Sequence, residues 1–260
     1  MNKIIKYAIT IVLIALAVTS FILFEAMHLT LVPNDPIMDA LLGRTIYHLA
    51  ITVLFVWLLY LIGNAPYASF KDTNRKTLLW CLPCLLVALA NFPISALIKG
   101  EVAITRVDLM WLYIIYVISI AVLEELVFRG VLLFLLFDLF RNQKMRYFLS
   151  ALICSLIFAL FHLTNLIGGA NIGDVLLQML YTFLLGAMFS VMVFKTNNVW
   201  LCVIVHAIFN FGGLLTDQAS GIASGTMWDV TFWILTITCG ILCAGHIIVS
   251  LINLERKHVS

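Results

Sequence analysis

Long, nearly uninterrupted apolar runs recur along this chain, and they leave few folds open to it. A helix needs ~20 mostly apolar residues, each advancing ~1.5 Å, to cross a hydrocarbon core ~30 Å thick. Eight stretches approach or reach that length, at about 4–24, 46–63, 78–98, 109–137, 148–166, 175–194, 199–215 and 230–252. With 63% of its 260 residues hydrophobic and 11% charged, the chain has too little charge to coat a soluble domain. Lipid offers the backbone no hydrogen-bond partner, so the runs must be helices. The expected fold class is therefore all-α: a polytopic integral membrane helix bundle of about eight transmembrane helices. Lys3 and Lys6 precede the first run, as they would in a signal peptide. That run is long for such a segment and no Ala-x-Ala site follows it, so a retained anchor is expected. The fourth run is long enough to tilt, and the seventh is the shortest, with Gly212-Gly213 near its end.

Charges between the runs orient them. Lys3, Lys6, Lys71, Arg75, Lys76, Arg141, Lys144, Arg146, Lys195, Arg256 and Lys257 fall on one side of an eight-span topology. Arg44, Lys99 and Arg106 fall on the other, with Glu25, Asp35, Asp39, Glu101, Asp108, Asp174, Asp217 and Asp229. Eleven basic residues against three is a positive-inside bias, which places both termini in the cytoplasm. No basic block interleaved with aromatics points to nucleic acid as a partner. Six cysteines, Cys81, Cys84, Cys154, Cys202, Cys239 and Cys243, lie almost wholly in apolar runs and read as small buried hydrophobes. Cys81-Leu-Pro-Cys84 has redox or zinc-knuckle spacing, but no second pair completes a site.

Three charges remain inside the membrane once the loops are assigned: Glu124, Glu125 and Arg129, all on the fourth span. Each costs at least ~2.5–3.5 kcal/mol near the bilayer centre. Glu125 and Arg129 are spaced i, i+4 and can pair on one helix face, as a structural lock or as part of a site. Glu124 points about a hundred degrees away with no basic partner on its own helix, and a buried carboxyl suits proton exchange. Phe158-Ala-Leu-Phe-His162 and His206-Ala-Ile-Phe-Asn210 place imidazoles and a carboxamide on the fifth and seventh spans. Each alone reads as an interhelical contact. A base, two imidazoles and an amide donor on separate helices together read as hydrolytic machinery. His48 and His246 read as packing residues without charged neighbours, and His28 and His258 as residues of the aqueous borders.

Glu124-Glu125-Leu-Val-Phe-Arg129-Gly130, then Phe158-x-x-x-His162, then His206-x-x-x-Asn210 resemble, in order, the three motifs of the CPBP family. That family comprises the type II CAAX prenyl proteases and the Abi-like bacteriocin-processing or bacteriocin-immunity membrane proteins. The similarity spans about 109–215, dividing the chain into three N-terminal helices (1–108), a motif-bearing core (109–215) and a C-terminal loop, last helix and short cytoplasmic tail (216–260).

The resemblance implies an intramembrane endopeptidase acting on a membrane-associated or leader peptide. It also implies that Glu124 and His162 activate the attacking water, while His206 and Asn210 donate to the oxyanion. Glu125 and Arg129, with Phe158, would support the site. A metal-free glutamate mechanism is favoured. A zinc version would take Glu124, His162 and His206 as ligands, and would remove His206 from the oxyanion. Two other readings stand beside the protease: a non-catalytic membrane scaffold or bacteriocin self-immunity protein, and a proton-coupled transporter. The latter lacks the expected inverted repeats.

The compact chain and short loops suit a bacterial cytoplasmic (inner) membrane. One feature of the depths is awkward. His162 lies ~21 Å up its helix from Phe148, while His206 lies only ~10–14 Å beyond the 195–199 loop. Tilt, vertical offset or misplaced borders would each reconcile them.

Overall fold

The computed structural model describes residues 3–27, 30–62, 74–216 and 220–259. His28, Lys71 and Asp217, placed above on the aqueous borders, lie outside the described residues, as do the side chains of Lys3, Lys6, Glu25, Lys257 and His258. Among the described residues the architecture is all-helical apart from one short strand pair. In order come α1 (Lys3–Met27), α2 (Pro36–Ile62), α3 (Arg75–Ala90), α4 (Ile94–Lys99), β1 (Val102–Ile104), α5 (Met110–Glu125), α6 (Leu133–Leu139), α7 (Arg146–Phe161), α8 (Ile172–Thr196), α9 (Val199–Gly213), β2 (Ala223–Gly225) and α10 (Val230–Val259).

Five segments among the described residues are long and apolar enough to cross a membrane: Pro36–Leu58, Arg75–Lys99, Arg146–Leu166, Ile172–Thr196 and Val230–Arg256. The protein is thus a multi-pass helical membrane bundle. Two more of the eight expected runs depart from a single long helix. The fourth is a continuous coil from Met110 to Leu139, broken in register by a π-helical stretch over Leu126–Leu132. The seventh, α9, is a shorter apolar helix of 15 residues.

Some borders differ from expectation for local reasons. α2 starts ten residues before the expected 46, because Asp35 caps it and Pro36 fits its first turn. Met38 N donates to Asp35 Oδ1 at 3.0 Å. Asp39 and Arg44 therefore belong to this helix and not to a loop. The third run breaks at Asn91-Phe92-Pro93, since proline cannot continue α3, and α4 resumes beyond it.

α7 packs along α8, α2 along α5, α5 along α9 and α3 along α10. The larger core joins the stretch from Leu126 to Leu136 to Phe158, Phe189, Met192 and Val205, with Cys81, Cys84, Cys154, Cys202 and Cys243 buried in it. The cysteines are free, and Cys239 is half-buried, in keeping with their reading as apolar filler. At one end, β1 pairs antiparallel with β2, Val102 opposite Gly225. Arg106 there binds Asp35 and Asp108, and Lys99 binds Asp229, residues all assigned above to one aqueous side.

Candidate active site

α5 carries Glu124 and Glu125 on its last turn, and the π-helical stretch begins at the next residue. π-turns inside α-helices recur at functional sites because they displace side chains from the regular register. Glu125 and Arg129 are completely buried and paired, with Arg129 Nη1 3.1 Å from Glu125 Oε1. The same Oε1 lies 2.8 Å from His206 Nδ1 on α9. The neighbouring Glu124 keeps 17% of its side chain exposed, and its Oε2 stands 3.6 Å from His206 Nε2. One imidazole is thus held between two successive carboxylates, one at each ring nitrogen.

Arg129 is caged by aromatic faces. Its guanidinium carbon sits 4.3 Å from the Phe158 ring centre, 5.3 Å from Phe189 and 5.9 Å from Phe128. Such faces attract a desolvated cation and replace part of its lost hydration. The cage does not satisfy every polar atom: Arg129 Nε and Nη2 and Glu125 Oε2 are buried without a hydrogen bond. Phe158, itself 1% exposed, contacts His162 edge-on at 5.0 Å and His206 at 6.3 Å, so it joins the fifth-span motif to the other two.

His162 closes α7, where the helix tightens into a 3-10 turn over His162–Leu166. Its Nδ1 donates to the Phe158 carbonyl at 2.9 Å. That fixes the neutral tautomer with a lone pair on Nε2. His162 lies within electrostatic reach of Glu124, Arg129 and His206. It makes no direct hydrogen bond to them among the described residues. Asn210 is half-buried one turn after His206, and its carboxamide has no hydrogen bond to another described residue. The α9 backbone around it is pinned: Asn91 Nδ2 donates to Phe209 O at 2.9 Å and Tyr113 Oη to Phe211 O at 2.7 Å.

The entry to α9 is packed into the bundle. Asn198 and Val199 are fully buried and Thr196 nearly so. Val199 belongs to the same core as Leu201 and Val205. His162 and His206 both contact Phe158, so α7 and α9 bring the two rings together despite their unequal distances from the nearest loops.

The structure therefore gathers Glu124, Glu125, Arg129, Phe158 and His206 into one contact network, with His162 at its edge and Asn210 one turn along α9 from His206. Phe189 was not among the candidates. It stacks on His206 at 5.3 Å and 28°, and no motif distinguishes it from the other phenylalanines of the chain. His48 needs a correction: Arg44 is within its electrostatic reach, and its Nδ1 meets Ser119 Oγ at 3.2 Å. His246 packs on Trp80 at 4.7 Å with Nε2 3.1 Å from the Trp80 carbonyl oxygen, as a packing residue should. An apolar groove of about 350 Å³ runs beside the site, between α5 and α9, lined by Phe92, Ile114, Val117, Ile118, Ala207, Ile208 and Phe211.

The sequence profile of the family described as type II CAAX prenyl endopeptidase Rce1-like matches residues 106–212, a stretch that contains all three motifs. The match bears out the resemblance to CAAX proteases that the motifs carry. No curated protein and no solved structure matches the chain.

Proposed function

We propose that this protein is an intramembrane endopeptidase that hydrolyses a peptide bond with water activated by Glu124 and His162. The observation that carries the reading is the approach of a partly exposed carboxylate to His206 beside one buried ion pair, with the His162 imidazole joined to the same cluster through Phe158. Glu124 accepts the proton of the attacking water, and His162 Nε2, with its lone pair, holds that water through a hydrogen bond. Asn210, next to His206 along α9, donates its amide N–H to the oxyanion of the tetrahedral intermediate, together with His206. Preorganised donors in a water-poor cavity give large rate effects, on the order of 10²–10³ per donor. The family match over residues 106–212 supports peptide hydrolysis as the chemistry.

The mechanism we favour is metal-free. A zinc ion needs three protein ligands at a catalytic site. Among the described residues no group of three His, Cys, Asp or Glu side chains is placed to hold one. Glu124 and His206 approach as a pair, and Nδ1 of His206 is already committed to Glu125. Full activity after exhaustive chelation is the expected result, and loss with rescue by zinc would refute it.

The topology that suits this reading has eight crossings and both termini in the cytoplasm of a bacterial inner membrane, as the charge bias suggests. The substrate is a membrane-associated or leader peptide, and the apolar groove between α5 and α9 offers its flanking segment a lipid-like surface. The decisive experiment is quantitative peptidomics of cells that carry wild type, Glu124→Gln or no protein. Peptides processed only by the wild type are expected. An equal pattern in wild-type and Glu124→Gln cells, with a phenotype preserved, would favour a scaffold or immunity role instead.

A further inference from the structure

His206 has two neighbours that constrain where its protons sit. Glu125 Oε1 accepts from Arg129 Nη1 at 3.1 Å, and the guanidinium is always charged, so Glu125 is held as a carboxylate. A carboxylate has only lone pairs to offer. The 2.8 Å contact with His206 Nδ1 must therefore be Nδ1–H donating to Oε1. In the neutral imidazole that leaves Nε2 with a lone pair facing Glu124 Oε2 at 3.6 Å. Such a nitrogen cannot donate to an oxyanion. A neutral His206 in this setting is an acceptor, and the donor role required of it above exists only after a proton arrives at Nε2.

We infer that Glu125, backed by Arg129, is a positioning residue that fixes the Nδ1–H tautomer of His206. His206 then becomes the oxyanion donor only by receiving, at Nε2, the proton that Glu124 removes from water. This rests on the hydrolytic reading above.

The step balances without any further reagent. The water oxygen bonds the carbonyl carbon as its O–H bond to the proton taken by Glu124 breaks. That proton passes from Glu124 Oε2 to His206 Nε2, and the imidazolium formed between two carboxylates donates to the oxyanion. When the C–N bond breaks, the same proton leaves on the amine nitrogen, and His206 returns to its neutral tautomer. Transfer over 3.6 Å needs Glu124 to approach by less than an ångström, within the slack typical of catalytic pairs before substrate binds. Phe189, stacked on the ring, and Phe158, at its edge, hold the imidazole plane while the proton moves.

The test reads the tautomer directly, in full-length protein labelled with ¹⁵N-histidine in lipid nanodiscs. The His206 signals are assigned by comparison with His206→Gln. Wild type is expected to show a protonated Nδ1 and an unprotonated Nε2. Glu125→Gln keeps an oxygen where Arg129 and His206 both donate, so the tautomer should persist. The charge-neutral pair Glu125→Met with Arg129→Met removes the acceptor, and both tautomers should then populate. A wild-type His206 protonated at Nε2 alone, or a double variant with unchanged tautomer, would overturn the assignment.

These readings need no turnover, so they stand or fall apart from protease activity. Where cleavage of a processed peptide is measurable, the double variant is expected to lose about 10²-fold or more in kcat with KM within about twofold, as happens when a catalytic histidine loses its orienting acid. His206→Gln supplies a permanent neutral donor. It should nevertheless be as slow as the double variant, and wild-type rates there would show that no proton need reach His206.

Discussion

Glu125 Oε1 accepts from Arg129 and from His206 at once, and that sharing ties the stability of the core to the geometry of the site. Both members of the ion pair are fully buried, so removing one leaves the other charge without compensation. Arg129→Met is expected to destabilise the protein by ~3–5 kcal/mol, measured by denaturant unfolding in detergent. Replacing Glu125 and Arg129 together by Met should cost much less, because no isolated charge remains in the interior. Equal losses in the single and double variants would mean that the pair stabilises chiefly through packing. Phe189 contributes differently. Phe189→Leu keeps most of the apolar volume but removes a ring face from Arg129 and a stacking partner from His206, a loss of ~1–2 kcal/mol. A stability change near zero in the same unfolding measurement would leave the cage to Phe158 and Phe128.

The site depends at the level of elements on how close α9 comes to the turn after α3. A Cβ on Gly212 would lie 2.7 Å from Phe92 Cδ2 and 2.8 Å from the Asn91 carbonyl oxygen, and one on Gly213 would meet the Asn91 carboxamide. The hydrogen bond from Asn91 to Phe209 O requires that approach, and it anchors the turn of α9 that carries Asn210. Gly212→Ala is therefore expected to cost ~1–3 kcal/mol by overpacking and to move Asn210. The check is unfolding by heat in detergent alongside the cleavage rate. A stable, fully active variant would show that the turn can yield. Much of this was legible in the sequence. The apolar runs gave the helices, and the i, i+4 spacings gave the Glu125–Arg129 pair and the two histidine motifs, because both follow from local periodicity. The π-helical register after Glu125, the buried start of α9 and the role of Phe189 were not legible. Each depends on which helices become neighbours, and a single sequence carries no local signal of that. The early start of α2 was readable in the pair Asp35-Pro36, but the charges Asp39 and Arg44 masked it by their resemblance to a loop.

On the scale of the whole molecule, the apolar bundle is closed at one end by a polar layer. There β1 and β2 pair, Gly225 takes a φ of 115° at a point where a side chain would strike the Glu101 carbonyl, and Thr105 and Arg106 donate backbone N–H groups to Ile222 O. Arg106 ties this layer to the cap of α2 through two contacts with Asp35, at 3.0 and 2.6 Å, and binds Asp108 at 2.8 Å. Hydrogen bonding from Arg106, and then from the Met38 N–H, holds the Asp35 carboxyl down to about 2 from an ordinary value of 3.8. A carboxyl depressed in the folded state stabilises it fully above the unfolded value. It loses that contribution as pH falls through 3.8 toward 2. Asp35 and Arg106 are partly open to solvent at this end, so the effect belongs to the layer and not to the bundle beneath it. Protection factors of the 102–106 and 222–225 amides, taken against the intrinsic exchange rate at each pH, should therefore fall between pH 4 and pH 2.5 (about the window set by that shift), while α5 and α9 stay protected. Asp35→Asn should show the lowered protection already at neutral pH, with no further loss in acid. If that variant keeps wild-type protection, the strand pair and its backbone bonds hold the layer by themselves. The arginine would then serve mainly the cap of α2.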